Sequence, residues 1–156
     1  MSRDPDRAPS SAEMRAFAYR LLGRREYSLH ELEQRLRQKW PEATEIGELV
    51  EALAGENLVS DERFTESFVR SRIARHQGPR KIQAELRGKG VSEHLVAKQL
   101  DRQAGTWTEL ARDWLRRQHP GELDFAARQK YYRRLCNRGF THDQAMDALN
   151  RHVDGA

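Results

Sequence analysis

The sequence predicts an all-α protein: tandem three-helix repeats, about nine helices in all, in an elongated and curved arrangement. Three observations carry this. Apolar residues recur at helical spacing along the chain, no stretch sustains a period-two alternation, and one set of anchors returns every 49 to 50 residues. Repeat units of this kind bury their apolar faces only against neighbours, which is the reason to expect a drawn-out shape.

The opening, MSRDPDRAPSSAE, is polar with two prolines, and residues 1–12 are expected to form a disordered tail. Met14, Phe17, Ala18, Leu21 and Leu22 then fall at i, i+3, i+4, i+7 and i+8, with Ser10 and Glu13 placed as a capping box. Ser28 and Glu31 make a second box, before Leu29, Leu32 and Leu36. Pro41 separates that helix from Ile46, Leu49, Val50 and Leu53, and Gly55 and Asn57 close the next one. A longer helix starts at Ser60 and carries Phe64 and Phe68. Pro79, where a first turn tolerates it, opens the helix of Ile82 and Leu86, and Gly90 supplies a left-handed stop. Val96 and Leu100 mark the following helix. Thr106 and Glu109 are expected to cap the helix of Trp107, Leu110, Ala111, Trp114 and Leu115. Two more helices run over about 124–137 and 141–152, the last opened by Thr141 with Gln144. Phe64, Phe68, Ile82, Leu86 and Phe140 are read as core.

The repeat is visible in the anchors. Leu36, Leu86 and Leu135 are each followed three residues later by a cation, Lys39, Lys89 and Arg138. At the fourth position stand Trp40, Gly90 and Gly139, and the next anchors are Leu53, Leu100 and Leu149. The units are expected at about 13–76, 77–120 and 121–153.

Leu, Ile, Val and Phe supply 30 of the 156 residues, enough for thin local cores rather than one deep one. The lone Cys136 rules out an intramolecular disulfide and fits a reducing compartment. No apolar run approaches a membrane span, and the start lacks the apolar centre of a signal peptide, so a soluble cytoplasmic monomer without membrane attachment is expected.

The six histidines are scattered, with no HExxH pair and no cysteine–histidine set, so no metal is expected. No phosphate-binding glycine loop and no SxxK or GxSxG nucleophile motif occurs. The chain is read as a non-enzyme without cofactors.

Charge is segregated instead. Residues 42–61 hold six acids and no Lys or Arg, residues 62–90 hold eight cations and three acids, and residues 124–138 hold five cations and one acid. Arg outnumbers Lys 23 to 5, a bias that favours bidentate contacts to carboxylate or phosphate and that a GC-rich genome would equally produce. The candidate contacts to a partner or to DNA are Arg24, Arg25, Arg63, Arg70, Arg72, Arg80, Lys81, Lys89 and Arg138. For each, a solvated helix face is the competing reading. Arg63 has Asp61 and Glu66 within reach, and Lys81 has Glu85 four residues on.

SDERFTESFVRSRIARHQGPRKIQAELRGKGVS, residues 60–92, resembles the central signature of the RecX family of recombination regulators. AYRLLGRREYSLHELEQRL before it and RQKYYRRLCNRGFTHDQAMDAL after it resemble the family in order and spacing, over about residues 13–150. Two departures stand out: His76-Gln77 replaces the usual Arg-Gly, and Trp40-Pro41 stands where the other repeats have glycine. The resemblance implies a crescent of three-helix repeats and a non-enzymatic protein that binds the RecA filament along its groove. It implies restraint of filament growth, strand exchange, ATP hydrolysis and coprotease activity, with single- or double-stranded DNA contacted weakly or within the complex. The alternative is a sequence-nonspecific helical DNA-binding module with no protein target.

Overall fold

The structure, a computed structural model, describes residues 7–152, so the expected end of the last repeat at 153 and part of the expected N-terminal tail lie outside the described residues. Among the described residues there are nine α-helices and no strand: α1 Ser11–Leu22, α2 Leu29–Lys39, α3 Ile46–Gly55, α4 Asp61–Ala74, α5 Pro79–Gly88, α6 Glu93–Asp101, α7 Thr106–Gln118, α8 Phe125–Asn137 and α9 His142–Arg151. Taken three at a time they are α1–α3, α4–α6 and α7–α9, whereas the unit bounds expected at 76/77 and 120/121 would group α1–α4, α5–α7 and α8–α9. None is long and apolar enough to cross a membrane.

The caps explain where the helices start. Ser28 with Glu31 and Thr141 with Gln144 form complete capping boxes at α2 and α9. At α1 only half of the expected box forms: Ser10 accepts from the Glu13 amide, while the Glu13 carboxylate pairs with Arg7 at 3.2 Å. Thr106 is the first helical residue of α7 rather than its cap, and its hydroxyl turns back to Gln103 at 3.2 Å.

The stops repeat more closely than the starts. After α3, α4 and α8 the chain makes a Schellman turn, with Leu58 N–H on Leu53 O, Gln77 N–H on Arg72 O and Phe140 N–H on Leu135 O at 2.9, 3.0 and 3.1 Å. The left-handed residue is Asn57, His76 or Gly139, with φ of 61°, 56° and 99°; Gly90, after α5, has φ 76°.

The chain divides into two compact units. The first comprises residues up to Thr65 together with the turn Lys89–Val91, and the second comprises Glu66–Gly88 and the residues from Ser92 onward. The first packs α1, α2 and α3 around Met14, Leu21, Leu32, Leu36, Ile46 and Leu53. In the second, α7, α8 and α9 close on Ala111, Leu115, Tyr131, Leu135, Phe140 and Leu149. The repeated anchors Leu36, Leu86 and Leu135 are all fully buried. Of the expected core, Phe68 alone is only half-buried, with the Arg72 guanidinium 4.5 Å over its ring.

Candidate partner-contact surface

The start of α5 shows how the fold positions its cations. Gly78 caps nothing with a side chain. Its amide donates to Arg138 O at 2.7 Å and the Arg80 amide donates to Gly139 O at 2.9 Å. The turn after α8 therefore takes up two of the N–H groups that a helix start leaves free. A Cβ at Gly78 would lie 2.3 Å from backbone atoms of Gly139 and Phe140, and a Cβ at Gly139 would lie 2.5 Å from the Lys81 Cβ. Glycine is required on both sides because two backbones touch.

This seat leaves the Arg80 and Lys81 side chains exposed on the first turn of α5, which holds no acid. Cations at that end oppose the helix dipole, at a cost of about 0.3–1 kcal/mol each at low salt. Neither has a side-chain partner among the described residues. Glu85, the expected partner of Lys81, instead takes Arg72 at 3.1 Å and the Gln77 amide group at 2.6 Å. Nothing local rewards this placement.

The other candidates divide by engagement. Arg24 and Arg70 are exposed, and their side chains too have no partner among the described residues. Arg63 bonds Glu26 at 3.1 Å and Asn57 at 2.9 Å rather than Asp61 or Glu66. Asp61 accepts the Leu29 amide, and Glu66 lies 3.5 Å from Arg102. Arg72 holds Glu85. Arg25 and Lys89 are brought together on Glu31, at 3.2 and 3.1 Å, and Arg25 also lies 3.6 Å over the Tyr27 ring. Burial pushes the Glu31 carboxyl up, but hydrogen bonds from Arg25, the Ser28 amide and Lys89 outweigh it and leave it below the ordinary range. Arg138 caps the end of α4: its Nε donates to His76 O at 3.0 Å, another guanidinium N–H donates to Arg75 O, and the group lies 5.2 Å over Trp114.

The cation that recurs beside each turn thus has a place in the fold. Lys39 lies 4.4 Å over Phe17, Lys89 pairs with Glu31, and Arg138 covers Trp114 while capping α4. Recurrence at that position reflects packing of the repeat.

Sequence reasoning passed over Arg35 and Arg133, exposed and without side-chain partners among the described residues. Counting acids three or four residues away would have found Arg80 and Arg133. It would have missed Arg35 and Arg70, because Glu31 and Glu66 stand four residues before them and are engaged elsewhere.

The surface offers guanidinium and ammonium groups on helices, chemistry suited to pairing with carboxylate or phosphate. Among the described residues, no group of three or more His, Cys, Asp or Glu is placed to hold a metal. Fold and surface together define an all-α protein of helical repeats with unengaged cations on its surface. The family model described as "RecX, second three-helix domain" matches residues 60–100. The chain is 42% identical over 134 residues to regulatory protein RecX of Chromohalobacter salexigens, covering 85% of this chain and 88% of that one. It is 38% identical over 143 residues to the RecX of Halorhodospira halophila, covering 89% and 88%. The crystal structure of RecX from Lactobacillus salivarius shares the fold, with a TM-score of 0.78 at 20% identity over 91% of this chain and 96% of that one. The chain belongs to the RecX family of regulatory proteins.

Proposed function

We propose that the protein binds the RecA filament on DNA and inhibits its growth, strand exchange, ATPase and coprotease activities, thereby modulating recombinational repair and the SOS response. On this reading it is a cytoplasmic, monomeric, non-enzymatic regulator that works without a cofactor. The observation that carries it is the pair Arg80 and Lys81, held at the unfavourable end of α5 with no internal partner. Family membership supplies the kind of role, and the unengaged cations supply the means. A filament of protein on DNA presents carboxylates and phosphates at regular spacing, which suits such side chains. On this reading Arg24, Arg70, Arg80 and Lys81, which have no internal side-chain partner among the described residues, are the favoured contacts among the nine candidates. Arg25, Arg63, Arg72, Lys89 and Arg138 support the surface through their internal bonds.

The test is RecA ATPase on single-stranded DNA. Inhibition at protein amounts far below those that coat the DNA supports a filament target. Inhibition that appears only when the DNA is saturated supports a nonspecific DNA-binding module instead.

A further inference from the structure

The third repeat departs from the common register on one face. Tyr132, Arg133 and Met146 stand where the second repeat has Gln83, Ala84 and Ala97, each 49 residues earlier. The helix α8 is also extended at its start: Asp124 caps it eleven residues before Leu135, whereas Ser28 and Gly78 lie eight before Leu36 and Leu86. The added turn carries Phe125, which is 76% exposed. Between α8 and α9 lies an open groove of about 550 Å³, lined by Phe125, Tyr132, Met146 and Leu149 together with Arg133 and His142.

An exposed aromatic ring beside an apolar groove is a common mark of a binding site, and large apolar side chains tend to dominate such contacts. Of the charged residues on α8 and α9, Arg128 and Arg133 line the groove and no acid does. Arg128 is held by Leu149 O at 3.1 Å and Asn150 at 2.9 Å, which leaves Arg133 as a cation with no side-chain partner among the described residues. The Tyr132 ring meets His142 edge-on at 5.6 Å and its hydroxyl bonds His142 Nδ1 at 2.7 Å, so the ring is fixed in the wall of the groove. That suits a groove that admits a side chain better than an open platform on which bases stack.

We infer that the α8–α9 groove of the third repeat receives an acidic protein segment of the filament subunit, which inserts one large apolar side chain beside Phe125 and sets its carboxylate against Arg133. The inference rests on the filament reading and adds a second, apolar contact to the cations of α5. It explains why the third repeat alone has Tyr, Arg and Met at these register positions.

The full chain is tested for binding to RecA filaments assembled on a single-stranded oligonucleotide with a slowly hydrolysed ATP analogue, and to the bare oligonucleotide. Phe125→Ala is expected to weaken filament binding about tenfold, the usual effect of truncating an anchor residue. Arg133→Glu should also weaken it. Phe125→Ala should leave binding to the bare oligonucleotide within about twofold, and both variants should keep the wild-type melting curve, which suits exposed positions. Unchanged filament binding by both variants overturns the inference. So does an equal loss by Phe125→Ala on the bare oligonucleotide, which would make the groove a nucleic-acid site. Sedimentation showing a wild-type dimer that Phe125→Ala dissociates overturns it too, since the occupant would then be a second copy. Wild-type chain that binds no filament sinks the functional reading itself; wild-type binding with indifferent variants sinks the groove alone.

Discussion

The first and second units solve one problem in two ways. In each, the start of a repeat's second helix meets the turn that follows the second helix of the next repeat. In the first unit the meeting residue is Ser28, whose hydroxyl donates to Lys89 O at 2.8 Å, and Gly90 lies against His30. In the second unit the meeting residue is Gly78, whose backbone amide donates to Arg138 O at 2.7 Å against Gly139. One seat is side chain on backbone; the other is backbone on backbone. A side chain can shift when crowded and a backbone cannot, so the second seat should be the less tolerant of change.

The largest expected effect breaks the second seat. Gly78→Ala puts a methyl group 2.3 Å from two backbone atoms, and Gly139→Ala adds a left-handed φ of 99° to a clash with Lys81. Each should destabilise the protein by roughly 3 kcal/mol or more, from overpacking with no escape route and, at Gly139, from the φ penalty as well. Gly90→Ala carries its own left-handed φ of 76° but meets only the His30 side chain, so it should cost less than Gly139→Ala, which meets the Lys81 and Gly78 backbones as well. Urea unfolding of the three variants checks the order, and an equal loss at Gly90 and Gly139 would remove the distinction between the seats.

The next effect is specific to the first unit, where Glu31 ties Arg25, Lys89 and the Ser28 amide together. Removing the charge with Glu31→Gln should cost about 1.5–3 kcal/mol near neutral pH, the usual worth of hydrogen bonds to a charged group. The folded carboxyl lies below its ordinary value, so its stabilisation is complete above the unfolded pKa of about 4.3. It is lost as pH falls through the lower folded value. The stability gap between wild type and Glu31→Gln should therefore be constant above about pH 5 and narrow on acidification. A gap that widens in acid would contradict the assignment. Ser28→Ala comes after it, at about 1 kcal/mol for a lost N-cap, plus the exposed need of Lys89 O for another partner.

How much of this the sequence disclosed follows from the range of each interaction. Helices were legible because Met14, Phe17 and Leu21 or Ile82 and Leu86 report burial through local spacing. The repeat was legible because leucine anchors and turn glycines must recur wherever the same backbone contact recurs. The second partner of a charge was not legible. Glu85 choosing Arg72 and Gln77 over Lys81, or Glu31 gathering Lys89 from beyond α5, depends on tertiary placement that i,i+4 spacing cannot report. The same blindness hid the place of Arg138 in the fold, where its guanidinium closes α4. It also hid the local demand at His76, which adopts a left-handed φ of 56° while its Nε2 sits 2.7 Å from Asp113.

The smallest effect on stability sharpens the comparison most. Position 31 in the first unit corresponds to Lys81 in the second, an acid that knits a seat against a cation that does not. Changing Arg80 and Lys81 together to Glu should leave stability within roughly 0.5 kcal/mol per site, as exposed substitutions usually do. A slight gain is expected at low salt, because acids suit the first turn of a helix and cations do not. Lys89→Glu belongs apart from this pair, since it would set a second carboxylate against Glu31 and unsettle the first seat. Binding to the RecA filament should respond in the opposite sense. Two charge reversals facing carboxylate or phosphate should lower affinity by at least tenfold, with wild-type binding weakening as salt is added. A double variant that melts more than about 1 kcal/mol below wild type would show that Arg80 and Lys81 serve the fold after all. One that melts normally and inhibits RecA at the wild-type concentration would leave them as solvated side chains on a helix that merely tolerates them.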